Sequence, residues 1–92
     1  MNNIEVINLL NQIKVEEFST SCGEIEYILV INNNKNIDIL HKIGITDKEI
    51  EDEGCGDYLS DAVYIDISPF AFKYANGFDG KTKKFYIEER LF

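Results

Sequence analysis

Two thiols, one imidazole and a crowd of carboxylates are the groups in this chain able to do chemistry. His41 is the sole histidine, so a cysteine–histidine pair would have to join it to Cys22 or Cys55. Glu51, Asp52 and Glu53 precede Cys55 and Asp57 follows it; that much negative charge disfavours a thiolate and blunts its nucleophilicity. Cys22 has no basic neighbour in sequence. A structural zinc site would need a fourth ligand beyond Cys22, His41 and Cys55, and the sequence has no Cys-x-x-Cys pair. Gly54-Cys55-Gly56 lacks the Lys-Ser/Thr of a phosphate loop, and the acids lack the central glycine and closing glutamate of an EF-hand. These exclusions point to a protein that is not an enzyme and carries neither metal nor cofactor. A small thiol enzyme or ligand-binding module is the remaining chemical alternative.

The carboxylates are the stronger signal. Residues 47–61 hold Asp47, Glu49, Glu51, Asp52, Glu53, Asp57 and Asp61 against the single base Lys48, a net −6 out of a chain total of −8. Charge so concentrated repels nucleic acid and favours a basic partner, with association that weakens as salt rises. With Tyr58 beside them as an aromatic contact, these residues form the candidate partner-binding face. The partner expected is a basic protein surface, such as that of a nuclease or a nucleic-acid-binding complex. Nine of the eleven aromatics lie in residues 58–92 beside Lys73, Lys81, Lys83 and Lys84. That interleaving can stack bases, but the overall charge opposes direct nucleic-acid binding. Core packing, or protein contacts through Tyr and Phe, is the expected role. An exposed strand edge or this aromatic third would equally serve a homodimer, so a homo-oligomeric accessory protein is the alternative function.

The elements that must position these groups read as follows. Val6, Leu9, Leu10 and Ile13, with Ile7 beside them, mark an amphipathic helix over 3–16, capped by Asn2 with Glu5 three residues on. Residues 24–32 read as a strand apolar on both faces, with Ile25, Tyr27, Leu29 and Ile31 on one and Ile28 and Val30 on the other. That pattern predicts an interior strand covered from both sides. The asparagine-rich run 32–36 reads as a hairpin turn leading to a returning strand with Ile37 and Ile39 on one face. The competing pattern is a short helical stripe of Ile37, Leu40 and Ile43 ended by Gly44.

Thr46 and Glu49 form a capping box, with Ile45 and Ile50 at the staple positions, so 46–53 is a capped helix ended by Gly54 and exposed along most of its length. Residues 62–67 alternate as a strand with Val63, Ile65 and Ile67 inward. Ser68-Pro69 opens a short helix to about Ala75, against which the alternation of Phe70, Phe72 and Tyr74 and the Asp79-Gly80 turn suggest a hairpin. Residues 83–89 end the order as a strand. The predicted fold is α+β, roughly α-β-β-α-β-α-β, a small largely antiparallel sheet of three to four strands packed against two or three short helices.

Ninety-two residues suit one compact domain over 1–92. The longest apolar run, Tyr27 to Ile31, is far too short to span a membrane, and the first eighteen residues lack the pattern of a signal peptide. The expectation is therefore a cytoplasmic protein with reduced thiols and no membrane partner. In size, acidity and lack of catalytic residues the chain resembles small phage or bacterial inhibitors such as anti-CRISPR proteins and nuclease immunity proteins. This resemblance is one of composition, and it implies a non-enzymatic inhibitor.

Overall fold

The computed structural model describes residues 1–56 and 58–88. Helix α1 (Asn3–Leu10) leads into strands β1 (Val15–Ser21) and β2 (Glu24–Ile31), then helix α2 (Asn34–Ile43). A helical turn, α3 (Asp47–Glu49), widens into a π-helix (Ile50–Cys55) and is followed by a 3-10 turn (Leu59–Asp61). Strand β3 (Tyr64–Asp66), helix α4 (Ser68–Ala71) and a hairpin of β4 (Gly77–Asp79) and β5 (Lys84–Tyr86) complete the order. β1, β2 and β3 form an antiparallel sheet with β2 in the middle, and β4 and β5 form a separate two-stranded ribbon. The fold is a small α+β one with antiparallel sheet packed against short helices, as the sequence predicts.

β2 organises the core. Ile28 and Val30 are fully buried and pack with Val6 and Leu10 of α1, Leu40 of α2, Ile50, Ile65 of β3 and Phe70 of α4. Burying one such aliphatic side chain stabilises the fold by about 1.5–3 kcal/mol, so this one strand face anchors most of the molecule.

Three sequence expectations need correction. The first helix stops at Leu10 rather than running to 16, and β1 takes its place from Val15. A bulge opposite the β2 step Val30–Leu29 places Val15 and Glu17 on successive partners, so the inward residues Val15 and Phe18 are three apart. That spacing mimics a helix and hid the strand. Second, residues 34–43 are helical, the competing pattern of Ile37, Leu40 and Ile43 having won over the strand. The Asn33 side chain accepts the Asn36 amide as N-cap at 2.8 Å. At the other end Gly44, at φ +106°, lets Ile45 donate to the Leu40 carbonyl and close the helix. Third, Val63 is 69% exposed while Ile65 and Ile67 are buried, so the inward series begins only at Ile65. At 68–74 the helix reading holds in shorter form, Ser68–Ala71 followed by a turn, and the alternation of Phe70, Phe72 and Tyr74 is no strand; the hairpin at the Asp79-Gly80 turn forms from Gly77–Asp79 and Lys84–Tyr86. The last strand is β5, Lys84–Tyr86, and residue 89 lies outside the described residues.

Side-chain amides stand in for missing backbone partners. The Asn11 amide donates to the Phe85 carbonyl at 3.0 Å and its oxygen accepts the Phe85 N–H at 2.7 Å, tying the end of α1 to β5. Asn76 makes the same two-way pairing with Glu88, and Asn32 donates to the carbonyls of Leu59 and Ala62. Asn36, 5% exposed, donates to the Ile31 carbonyl. Such pairing is how buried backbone groups are satisfied where a loop interrupts the ladder.

Two backbone positions yield tests. A Cβ on Gly54 would lie 3.0 Å from the Asp66 carbonyl oxygen and from Ile65 Cγ2, and 3.2 Å from the Phe70 ring. Gly54→Ala should therefore cost about 1–3 kcal/mol in urea denaturation. Cys22 and Gly23 link β1 to β2 as a two-residue turn with φ +52° and +80°, the left-handed pair that favours Asn-Gly. Replacing Cys22 by Asn should raise stability by about 0.5–1 kcal/mol in the same assay.

Candidate functional site

The acidic segment is an ordered ridge. Thr46 accepts the Glu49 amide at its hydroxyl (3.2 Å) while the Glu49 carboxylate reaches back to the Thr46 amide, so the expected capping box is formed. Ile50, fully buried, pins the next turn to the core. From there the backbone widens into a π-helix that passes through Gly54, the expected terminator, and ends instead at Gly56, left-handed at φ +67°, whose amide donates to the Glu51 carbonyl at 3.1 Å. A π-helix is a costly winding that recurs at functional sites. Here it brings Gly54 against β3 and α4 and sends Asp52 and Glu53 outward.

The carboxylates divide into two kinds. Glu49 is spent on the cap, and Glu51, half-buried, accepts the Leu59 amide at 2.7 Å, bracing the chain beyond residue 57. These two build the surface. Asp47, Asp52, Glu53 and Asp61 are exposed and present its charge. Asp47 lies 2.6 Å from His41 Nε2, Asp52 3.1 Å from Lys48 Nζ and Glu53 3.9 Å from Lys73 Nζ. All three pairs sit in solvent, where such contacts contribute little and give way easily to a stronger competitor. Tyr58 is 70% exposed, and with Lys48, Glu51, Asp52 and Gly56 it lines a shallow hollow of about 600 Å³. Asp57 lies outside the described residues.

Sequence reasoning missed several neighbours of this ridge. His41 and Lys73 come to it from α2 and from the turn after α4, and nothing local in sequence marks them. Ile31, at the end of β2, and Val63 and Tyr64, where β3 begins, are 40%, 69% and 47% exposed. Tyr64 is the cross-strand partner of Ile31, and the Asn32 amide ties this strand end to the 59–62 turn.

Cys22 is exposed at the β1–β2 turn, Cys55 is half-buried in the π-helix, and neither is in a disulfide. Among the described residues no three His, Cys, Asp or Glu side chains are grouped so as to hold a metal ion. No helix among them is long and apolar enough to cross a membrane. Comparison with protein-family models, with curated proteins and with solved structures finds no match.

The two kinds of carboxylate should separate in mutants. Glu51→Ala removes a charged acceptor from the Leu59 amide and should cost about 1–2 kcal/mol, with faster hydrogen exchange at Leu59. Asp52→Asn, losing only a solvent-exposed pair, should change stability by less than about 0.5 kcal/mol.

Proposed function

We propose that this chain is a non-enzymatic, cytoplasmic binding protein that docks its acidic ridge on a basic surface of a larger protein and blocks that surface. The observation carrying this reading is the division of labour within residues 47–61. Glu49 and Glu51 are used to hold the ridge in shape, leaving Asp47, Asp52, Glu53 and Asp61 exposed on an ordered support beside Tyr58. Fixed charges lose little conformational entropy on binding and steer an oppositely charged partner during diffusion. A charge run kept only for solubility needs no such bracing. Surfaces that bind nucleic acid are rich in Lys and Arg, so a nuclease or a nucleic-acid-binding complex is the target best matched by chemistry. Occupying its basic site would exclude nucleic acid, the mode of action that the resemblance to anti-CRISPR and immunity proteins implies.

The test is a ridge that keeps its fold but carries half its net charge, −3 in place of −6. In Asp52→Asn/Glu53→Gln/Asp61→Asn the bracing residues Glu49 and Glu51 are untouched. With the partner captured from the source cell and purified, this variant should bind about tenfold or more weakly, mostly through slower association. Affinity equal to that of the parent protein would overturn the proposal.

A further inference from the structure

β2 is apolar on both faces, yet only one of them packs into the core. Ile28 and Val30 are buried in the core, while Tyr27, Leu29 and Ile31 point the other way and belong to no core contact. Beyond the bulge at Glu26, Ile25 packs toward the core, so the outward apolar series begins at Tyr27. Across the strands Leu29 stands opposite Glu17 of β1 and Asp66 of β3, Tyr27 opposite Ser19, and Ile31 opposite Tyr64. An antiparallel sheet open to water on one side normally carries polar residues there. A strip of half-buried Tyr27 and Leu29 and exposed Ile31 and Tyr64 breaks that rule, and apolar surface left open to solvent marks an interaction site.

Charge decides what can cover it. Glu17, exposed, borders the strip on the β1 side, and the strip's far end at Ile31 and Tyr64 runs into the turn that follows Tyr58 and the acidic ridge. On the β1 side Lys14 pairs with Glu16 at 3.8 Å, leaving Glu17 as the acid beside Leu29, and the Asp66 carboxylate is held by the amides of Ile28 and Ser68. A second copy laid on the face would bring Glu17 and the ridge against like charges, on a chain carrying −8. We infer that the open face of the β1-β2-β3 sheet is the apolar half of the docking surface. Its occupant is a segment of the partner protein that presents an apolar stripe flanked by lysine or arginine. The inference rests on the docking function proposed above and adds to it the shape of the partner: apolar residues on the strip, basic residues on Glu17 and the ridge.

Three synthetic helical peptides of equal length test this on the isotopically labelled full chain, read by amide chemical shifts. One pairs a leucine stripe with lysines, one replaces the leucines by serine, and one keeps the leucines but replaces lysine by glutamate. The leucine–lysine peptide should shift both the ridge amides and those of Tyr27, Leu29, Ile31 and Tyr64. The serine–lysine peptide should shift the ridge alone, and the leucine–glutamate peptide neither. In Ile31→Ser/Tyr64→Ser the leucine–lysine peptide should bind about tenfold more weakly, with serine–lysine binding unchanged. Leucine–lysine shifts confined to the ridge would overturn the inference and leave the docking function standing. No ridge shift with either lysine peptide would instead remove the docking function itself. Open-face shifts produced by the leucine–glutamate peptide, or by raising protein concentration alone, would also overturn it, since charge would then not select the occupant.

Discussion

The acidic side of the molecule depends on one close approach. At Gly54 the π-helix backbone lies against the Asp66 carbonyl, Ile65 and the Phe70 ring with no room for a side chain. That contact seats the ridge on β3 and α4, while Ile50 anchors its start in the core. Without it, seven carboxylates in fifteen residues would repel one another on a loose loop. With it, the repulsion among the described acids is met by packing, by the capping box and by the Glu51–Leu59 bond, and Asp47, Asp52, Glu53 and Asp61 keep fixed positions. The wide π winding is the backbone form that lets one short segment do both.

The second organising feature is β2, which faces two environments with one kind of side chain. Inward, Ile28 and Val30 complete a core closed by α1, α2, α4 and the hairpin. Outward, half-buried Tyr27 and Leu29 and exposed Ile31 lie outside the core cluster of the described residues. Hydrophobic burial is what stabilises a chain of this size, so apolar side chains left on the open side carry a cost in solubility that a purely structural strand would avoid. The ridge and the strip meet near Ile31, Asn32 and Tyr64, where Asn32 fastens the end of β2 to the 59–62 turn.

How much of this the sequence disclosed follows from how local each signal is. The capping box at Thr46 and Glu49, the exposed acids and the α+β class are written in neighbouring residues and were legible. β1 was not, because a bulge gave its inward residues helical spacing. The α2 helix was misread because asparagine both tolerates turns and caps helices, and only the tertiary placement of Asn36 under the Ile31 carbonyl decides between them. The two-sided apolar pattern of β2 correctly marked a central strand but wrongly implied cover on both faces. That mismatch between pattern and burial appears only when sequence and structure are held together. His41 and Lys73 reach the ridge from other elements, a long-range placement no local pattern encodes.

The central claim is that oriented charge on the ridge brings the partner in. The most direct measurement is the association rate with the partner purified from the source cell, followed as ionic strength rises from about 0.02 to 0.5 M. The account predicts a fall of about tenfold or more in that rate, with dissociation little changed. A rate indifferent to salt would contradict it.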